Sequence, residues 1–353
     1  MTVRPLRRAQ GLISAVVAAA LLATAACGSN SGGDSQSSGN TTVKIIIAPA
    51  INVAVPNLAV DANTGAAHGI TLERVAAPSG GSAAQMAALI SGSVDMAVMG
   101  NNTAVDAIAQ GADVRIIAGF GPLLNTLTMS KSAAARTGVA ENSPMTEKLQ
   151  ALRGLTVAAP TPGSAGYFSF MVLLRSVGLD PETDLTIAPI SDNNAVAAGL
   201  KQGTYDAAFA SMGAGEVAVA DGDAITLGSI PAGDFPVFDD YVGAVLVAPV
   251  RLIESNPDLI RRVRATFIDA QNMAVNRSAE AAAALKANSL SALPSAVFDI
   301  CWAGMASALT VSPELTYTQQ NWEKYVSLFS EYTEADYSSL DLDGVVAKVA
   351  QGA

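Results

Sequence analysis

The sequence is short of the side chains on which most enzymes depend. Its 353 residues include one histidine, His68, and two cysteines, Cys27 and Cys301. No HExxH, GxSxG or clustered Cys/His pattern occurs, so metal-assisted hydrolysis and activated-nucleophile chemistry lack a signature, and no metal or cofactor is expected. His68 falls between Gly65 and Gly69 and reads as a surface turn residue. Asp239 and Asp240 are adjacent in the chain, so they need not converge as an acid/base pair. Cations are scarce too. Twenty Lys and Arg against 31 Asp and Glu give a net charge of -11. That excludes nucleic acid, whose phosphates require a basic patch. If Cys27 is used elsewhere, Cys301 has no intramolecular disulfide partner. Beside Trp302 in an apolar stretch, it reads as a small buried hydrophobe.

What is present at the N-terminus suggests an address. Arg4, Arg7 and Arg8 precede an apolar run, residues 11–26, too short and too rich in small residues for a membrane span. The run ends ATAACGS, a small-residue cleavage site directly before Cys27, and resembles a bacterial lipobox. Residues 1–26 then form a signal peptide, and residues 27–42 a lipidated, Gly/Ser-rich tether. The folded body is expected outside the cytoplasm, anchored to the cell membrane through the Cys27 lipid. The alternative is a soluble secreted protein with a stray cysteine. Loss of residues 1–26 removes three arginines and no acid, taking the charge from -11 to -14.

The remaining body of about 310 residues is long enough for two lobes. Strands are expected at 43–48, 70–76, 95–99 and 114–119, with helices at 53–63, 83–90 and 104–110 between them. Ser82 with Gln85 fits a capping box, and Asn102 or Thr103 reads as the cap of the third helix. Strand–helix alternation with a Gly-rich loop after each strand marks a mostly parallel α/β sheet. Ligands of such sheets sit outside the carboxyl ends of the strands. Asn52, Ser79, Gly80, Gly81, Asn101, Asn102 and Thr103 fall there.

Residues 123–130 suit a crossing strand, and 136–144 a surface excursion. The alternation then restarts. Residues 155–159 read as a strand, 160–163 as a loop, and Ser164 as the cap of a helix that stops at Gly178 before Pro181. Free N–H groups at such a junction suit an anionic or strongly polar ligand, though an ordinary βα turn looks the same. Further strand tips bring Ser191 and Ser211 to the same side. The second set echoes the first: ALISGSVDMAVMGNN (88–102) matches GLKQGTYDAAFASMG (199–213) in its order of helix, glycine, aspartate, apolar strand and polar tip. Residues 242–248 read as a returning strand. Helices are expected at 257–276, 279–289, 296–309 and 315–332. In the last, Trp322, Tyr325 and Phe329 fall at helical spacing and read as packing.

With the lipobox at Cys27, SGSVDMAVMG (91–100), LRGLTVAAPTPGSAGYFSFMVLLRSVGLD (152–180), GLKQGTYDAAFAS (199–211) and NPDLIRRV (256–263), the chain resembles the substrate-binding lipoproteins of ABC importers. The resemblance covers most of residues 43–335 and is to the nitrate/sulfonate/taurine-type group, which includes thiamine-precursor binders. It implies an α/β type II periplasmic-binding-protein fold. Two lobes, 43–125 plus 243–353 and 126–242, would be joined by two crossing strands near 123–130 and 241–248, with a C-terminal helical extension. It also implies hinge closure on a small organic, sulfonate- or carboxylate-like anion, and delivery by a monomer to a permease and its ATPase.

Transferred by position, the family's site falls on Asn52, Ser79, Gly80, Asn101, Thr103, Thr161, Gly163, Ser164, Ser191 and Ser211, with Tyr241 at the hinge. Gly81, Asn102 and Ala165 complete the loops. No Lys, Arg or His stands at these tips, unlike in nitrate-binding members, and the cysteine-rich motif of eukaryotic thiamine-precursor members is absent. N–H groups and hydroxyls would hold the anion, while Asp192, Asp239 or Asp240 would meet an amine or simply be solvated. A neutral, apolar-bodied ligand fits the Ala- and Met-rich tips as well. Two rival readings use the same scaffold: an enzyme, or a lipoprotein that senses without transporting.

Overall fold

A computed structural model describes residues 40–351 apart from 79–80, 191, 307, 311, 313 and 333–335. Cys27, Ser79, Gly80 and Ser191 therefore lie outside the described residues. The strands are β1 (Thr41–Ile46), β2 (Ile70–Val75), β3 (Met96–Gly100), β4 (Val114–Gly119), β5 (Asn125–Ser130), β6 (Thr156–Pro160), β7 (Thr186–Ile190), β8 (Ala207–Ser211), β9 (Ala224–Ser229) and β10 (Ala244–Pro249). They form two five-stranded sheets, ordered β2-β1-β3-β10-β4 and β7-β6-β8-β5-β9. Within each sheet, β1 runs parallel to β2 and β3, and β6 to β7 and β8. One antiparallel strand is inserted in each: β10 between β3 and β4, β5 between β8 and β9.

These two visitors explain the topology. The chain leaves the first sheet after β4 through residues 120–124 and returns from β9 through residues 230–243. The links are not themselves strands; of the expected crossing strands, 125–130 and 244–248 lie within the sheets, and only 123–124 and 241–243 fall in the links. Where the links meet, Gly243 N–H donates to Gly121 O (2.8 Å) and Phe120 N–H to Ala244 O (2.9 Å). A Cβ on Gly243 would stand 2.4 Å from the Leu123 nitrogen and 2.5 Å from its Cα. Only glycine lets the two backbones pass.

In chain order the helices are α1 (Ala54–Asp61), α2 (Gly81–Ser91), α3 (Asn101–Ala109), α4 (Lys131–Thr137), α5 (Met145–Gln150), α6 (Ala165–Ser176), α7 (Asn194–Gln202), α8 (Glu216–Ala220), α9 (Val250–Ser255), α10 (Pro257–Asn276), α11 (Ser278–Ala287), α12 (Ser295–Gly304), α13 (Gln319–Tyr332) and α14 (Leu342–Val345). Helix α10 shows why such segments form. Asn256 caps it by accepting from Leu259 N–H (3.1 Å), and Pro257 occupies the first turn. Leu259, Ile260, Val263, Phe267, Ala270 and Met273 then recur at helical spacing and are buried against one face of the first sheet. A second core spans both sheets and takes in α3, α6 and α13.

Several boundaries depart from the sequence reading. Helix α2 starts at Gly81, so Ser82 lies inside it and is not its cap. Helix α3 starts at Asn101 with Gly100 as cap, so neither Asn102 nor Thr103 caps it. The surface excursion expected at 136–144 is the loop between α4 and α5 and overlaps only the last two residues of α4. Helix α13 begins at Gln319 because Leu315, buried with a φ of 51°, cannot continue a right-handed helix.

Because the Leu123 backbone cannot yield, Gly243→Ala should cost about 1–3 kcal/mol by overpacking. Thermal unfolding of the variant should show a Tm several degrees lower; an unchanged Tm would mean the links are free to part.

Candidate functional site

Three helices begin at one place between the sheets. Helix α6 is capped by Ser164, whose Oγ accepts from Tyr167 N–H (3.2 Å) and donates to Thr161 O (2.8 Å), closing the loop after β6. Helix α3 has no side-chain cap, and its first N–H, from Asn101, goes to Gly243 O (3.0 Å). The following N–H groups of the first turn have no intrahelical acceptor. Gly100 brings these ends together: a Cβ there would lie 3.3 Å from the Ala165 Cβ and 4.0 Å from the Ser82 Oγ.

A cleft of about 800 Å³ opens at this junction. Of the residues expected at the site, Gly81, Thr103, Thr161, Gly163, Ser164 and Ala165 line it. Ser82, Met86, Asp106, Gln110 and Ile190 join them. Asn102 is buried beside it, in an adjoining groove that shares Asp106, Gly163 and Ser164. Among the described lining residues of the cleft, Asp106 alone carries a formal charge.

The other expected residues lie elsewhere. Asn101 is fully buried, and its Nδ2 donates to Val242 O (3.0 Å) and Tyr317 Oη (2.9 Å), so it clasps the returning link. Asn52, in the turn after β1, and Ser211, paired with Asn125 at the end of β8, do not line the cleft. Tyr241 is buried among Phe168, Phe238 and Tyr325, beside a separate cavity of about 470 Å³ at the links. Asp239 and Asp240 line that cavity, and Asp240 is held by Gln320 Nε2 (2.7 Å). Asp192 accepts from Asn194 in its own turn. His68 meets Asp269 Oδ2 on α10 at 2.8 Å.

Sequence reasoning missed Asp106 and Glu216. Asp106 sits one helical turn beyond Asn102 and Thr103, on the same face, and that i+3/i+4 spacing could have found it. The Tyr337 hydroxyl donates to its carboxylate. Burial raises the Asp106 pKa, and that hydrogen bond only partly offsets the rise. Glu216 is buried and accepts from Thr126 Oγ1 and Gly213 N–H, each at 2.8 Å, fastening the loop after β8 to β5. Burial raises its pKa as well.

The Asp106 shift has a measurable sign. Between the ordinary value of 3.8 and its raised value, the folded chain keeps a proton that the unfolded chain has released. Stability is therefore lost as pH rises through that window. Asp106→Asn keeps an acceptor for Tyr337 and cannot ionise. Its Tm should fall less steeply than that of the parent chain as the pH rises above the ordinary carboxylate value of 3.8. Identical pH profiles for the two proteins would exclude this role.

Comparison with known proteins places this architecture. Residues 69–293, more than half of the chain, match the family described as "ABC transporter, phosphonate, periplasmic substrate-binding protein". No curated protein matches the sequence. The fold is similar to that of a Bordetella bronchiseptica RB50 protein, with TM-score 0.68 and 17% identity over 87% of this chain and 94% of that one. It is similar to the alkanesulfonate-binding protein SsuA from Xanthomonas axonopodis pv. citri, solved bound to MOPS, with TM-score 0.61 and 19% identity over 89% and 99%. The periplasmic nitrate-binding protein NrtA from Synechocystis PCC 6803 gives TM-score 0.59 and 15% identity over 74% and 70%. These neighbours bear out the sulfonate- and nitrate-type architecture expected from the motifs, while the family match itself is of the phosphonate type. SsuA and NrtA are binding proteins. The chain belongs to the phosphonate-type periplasmic substrate-binding proteins of ABC transporters.

Proposed function

We propose that this protein captures a small organic oxyanion, a phosphonate or sulfonate, in the cleft between its two sheets and delivers it to an ABC permease and ATPase. The observation that carries this reading is the meeting of the α2, α3 and α6 starts on one cleft. Their N–H groups and helix dipoles favour negative charge without any cationic side chain. The hydroxyls of Thr103 and Thr161 add donors that adjust to a tetrahedral head. Asp106 opposes a second negative charge further along α3, so the ligand has one oxyanionic head and a remainder that is not anionic. A planar nitrate uses fewer of these donors than a tetrahedral head does.

Ligand contacts from both lobes, 43–125 plus 243–353 and 126–242, would favour the closed form that the permease recognises. Gly81 lines the cleft at the start of α2; Ser79 and Gly80, which precede it in the chain, and Ser191, which follows Ile190, belong to the proposed ligand set. Cys27 carries the lipid that holds a monomer at the membrane.

Residues 28–353 should show a raised Tm with methylphosphonate or methanesulfonate and none with a neutral control. The stabilisation is about 2.7 kcal/mol at a hundredfold excess over Kd. Thr103→Val, which exchanges a hydroxyl for a methyl, should weaken binding about tenfold, equivalent to about 1.4 kcal/mol. Indifference to every oxyanion would refute the reading. In the full chain, Cys27→Ser should move the protein from the membrane fraction to the soluble one. Unchanged fractionation would dispose of the lipid anchor.

A further inference from the structure

The cleft does not end at its helix starts. Asp106, Gly163 and Ser164, with Asn102 beside them, also form one end of a second compartment, a groove of about 650 Å³ between α6 and α13. Its walls differ in kind from those of the cleft. Phe168 and Phe329 lie stacked at 3.9 Å between ring centroids, and Tyr167, Met171 and Tyr332 continue the apolar lining. At the far end the Arg175 guanidinium donates to the Tyr332 carbonyl and fixes the spacing of the two helices.

We propose that this groove holds the remainder of the ligand whose head occupies the cleft, and that this remainder is an aromatic or similarly broad apolar ring. The inference rests on the function proposed above. Three observations point to the ring. First, the two compartments share Asp106, Gly163 and Ser164, so one molecule passes from one to the other without leaving the protein. Second, together they far exceed what an oxyanion with one or two carbons fills, while each lies within the usual range for a ligand site. Third, the half-buried rings of Tyr167 and Tyr332 line the groove over the buried Phe168–Phe329 stack and offer aromatic surface to a flat partner, and Met171 adapts to its outline. Helix α13 lies beyond residue 293, where the family match ends. One wall of the groove is thus contributed from outside the part that matches the family, where a ligand preference of its own would reside.

Calorimetric titration of residues 28–353 with two matched pairs tests the inference: methylphosphonate against phenylphosphonate, and methanesulfonate against benzenesulfonate. In each pair the aryl compound should bind about tenfold more tightly, the gain from burying one ring face. Tyr332→Ala and Tyr167→Ala, at half-buried positions, should each reduce that ratio several-fold. Equal affinity within both pairs overturns the inference and leaves the oxyanion reading standing. So does an aryl preference undiminished in both variants, because the ring then binds elsewhere. Failure of all four compounds to bind overturns the oxyanion reading and, with it, the inference.

Discussion

Everything in this molecule is arranged around the crossing of two backbones. The links at 120–124 and 230–243 pass at a distance that only Gly243 permits, and Asn101 ties the crossing to the next element. Its side chain holds Val242 and Tyr317, and its backbone N–H holds Gly243. The next two residues, Asn102 and Thr103, face the groove and the cleft. The residue that clasps the crossing and the residues that line the groove and the cleft are therefore successive in one helical turn. A change of angle at the crossing moves the start of α3 directly, with no intervening loop to absorb it.

The C-terminal segment adds a third tie. Phe329 of α13 stacks on Phe168 of α6, which belongs to the second sheet's layer. Tyr325 stacks on Tyr241 in the returning link at 6.2 Å, and Tyr337 reaches Asp106 on α3. Ring faces slide over one another at less cost than interlocked aliphatic side chains. The aromatic stripe thus tolerates a shear between the layers while resisting their separation.

The sheets were legible in the sequence because each strand is an apolar run ended by a glycine or a polar tip. The internal echo was legible for a deeper reason. Residues 88–102 and 199–213 prove to be α2–β3 and α7–β8, and β3 and β8 hold equivalent third places in their sheets, each beside a strand that arrives from the other. The site was legible only as a set of loops. Whether Asn101 or Asn102 lines the groove depends on the residue at which α3 begins, and a shift of one residue turns a side chain by about 100°. Asp106 went unseen because it belongs to the helix and not to the loop. The role of Phe329 in a groove was hidden for another reason. A helical stripe of rings looks the same in sequence whether its partners fill all of the opposing surface or leave part of it open.

One small feature bears on how such a chain survives where it works. Cys301 is buried, and desolvation pushes its thiol pKa well up. Outside the cytoplasm an accessible unpaired thiol is captured by any passing disulfide, giving cross-linked dimers or mixed adducts. Here the native packing of α12 keeps the sulfur protonated and out of reach. The fold is its own antioxidant, and the only vulnerable interval is between export and the closing of that helix over its core.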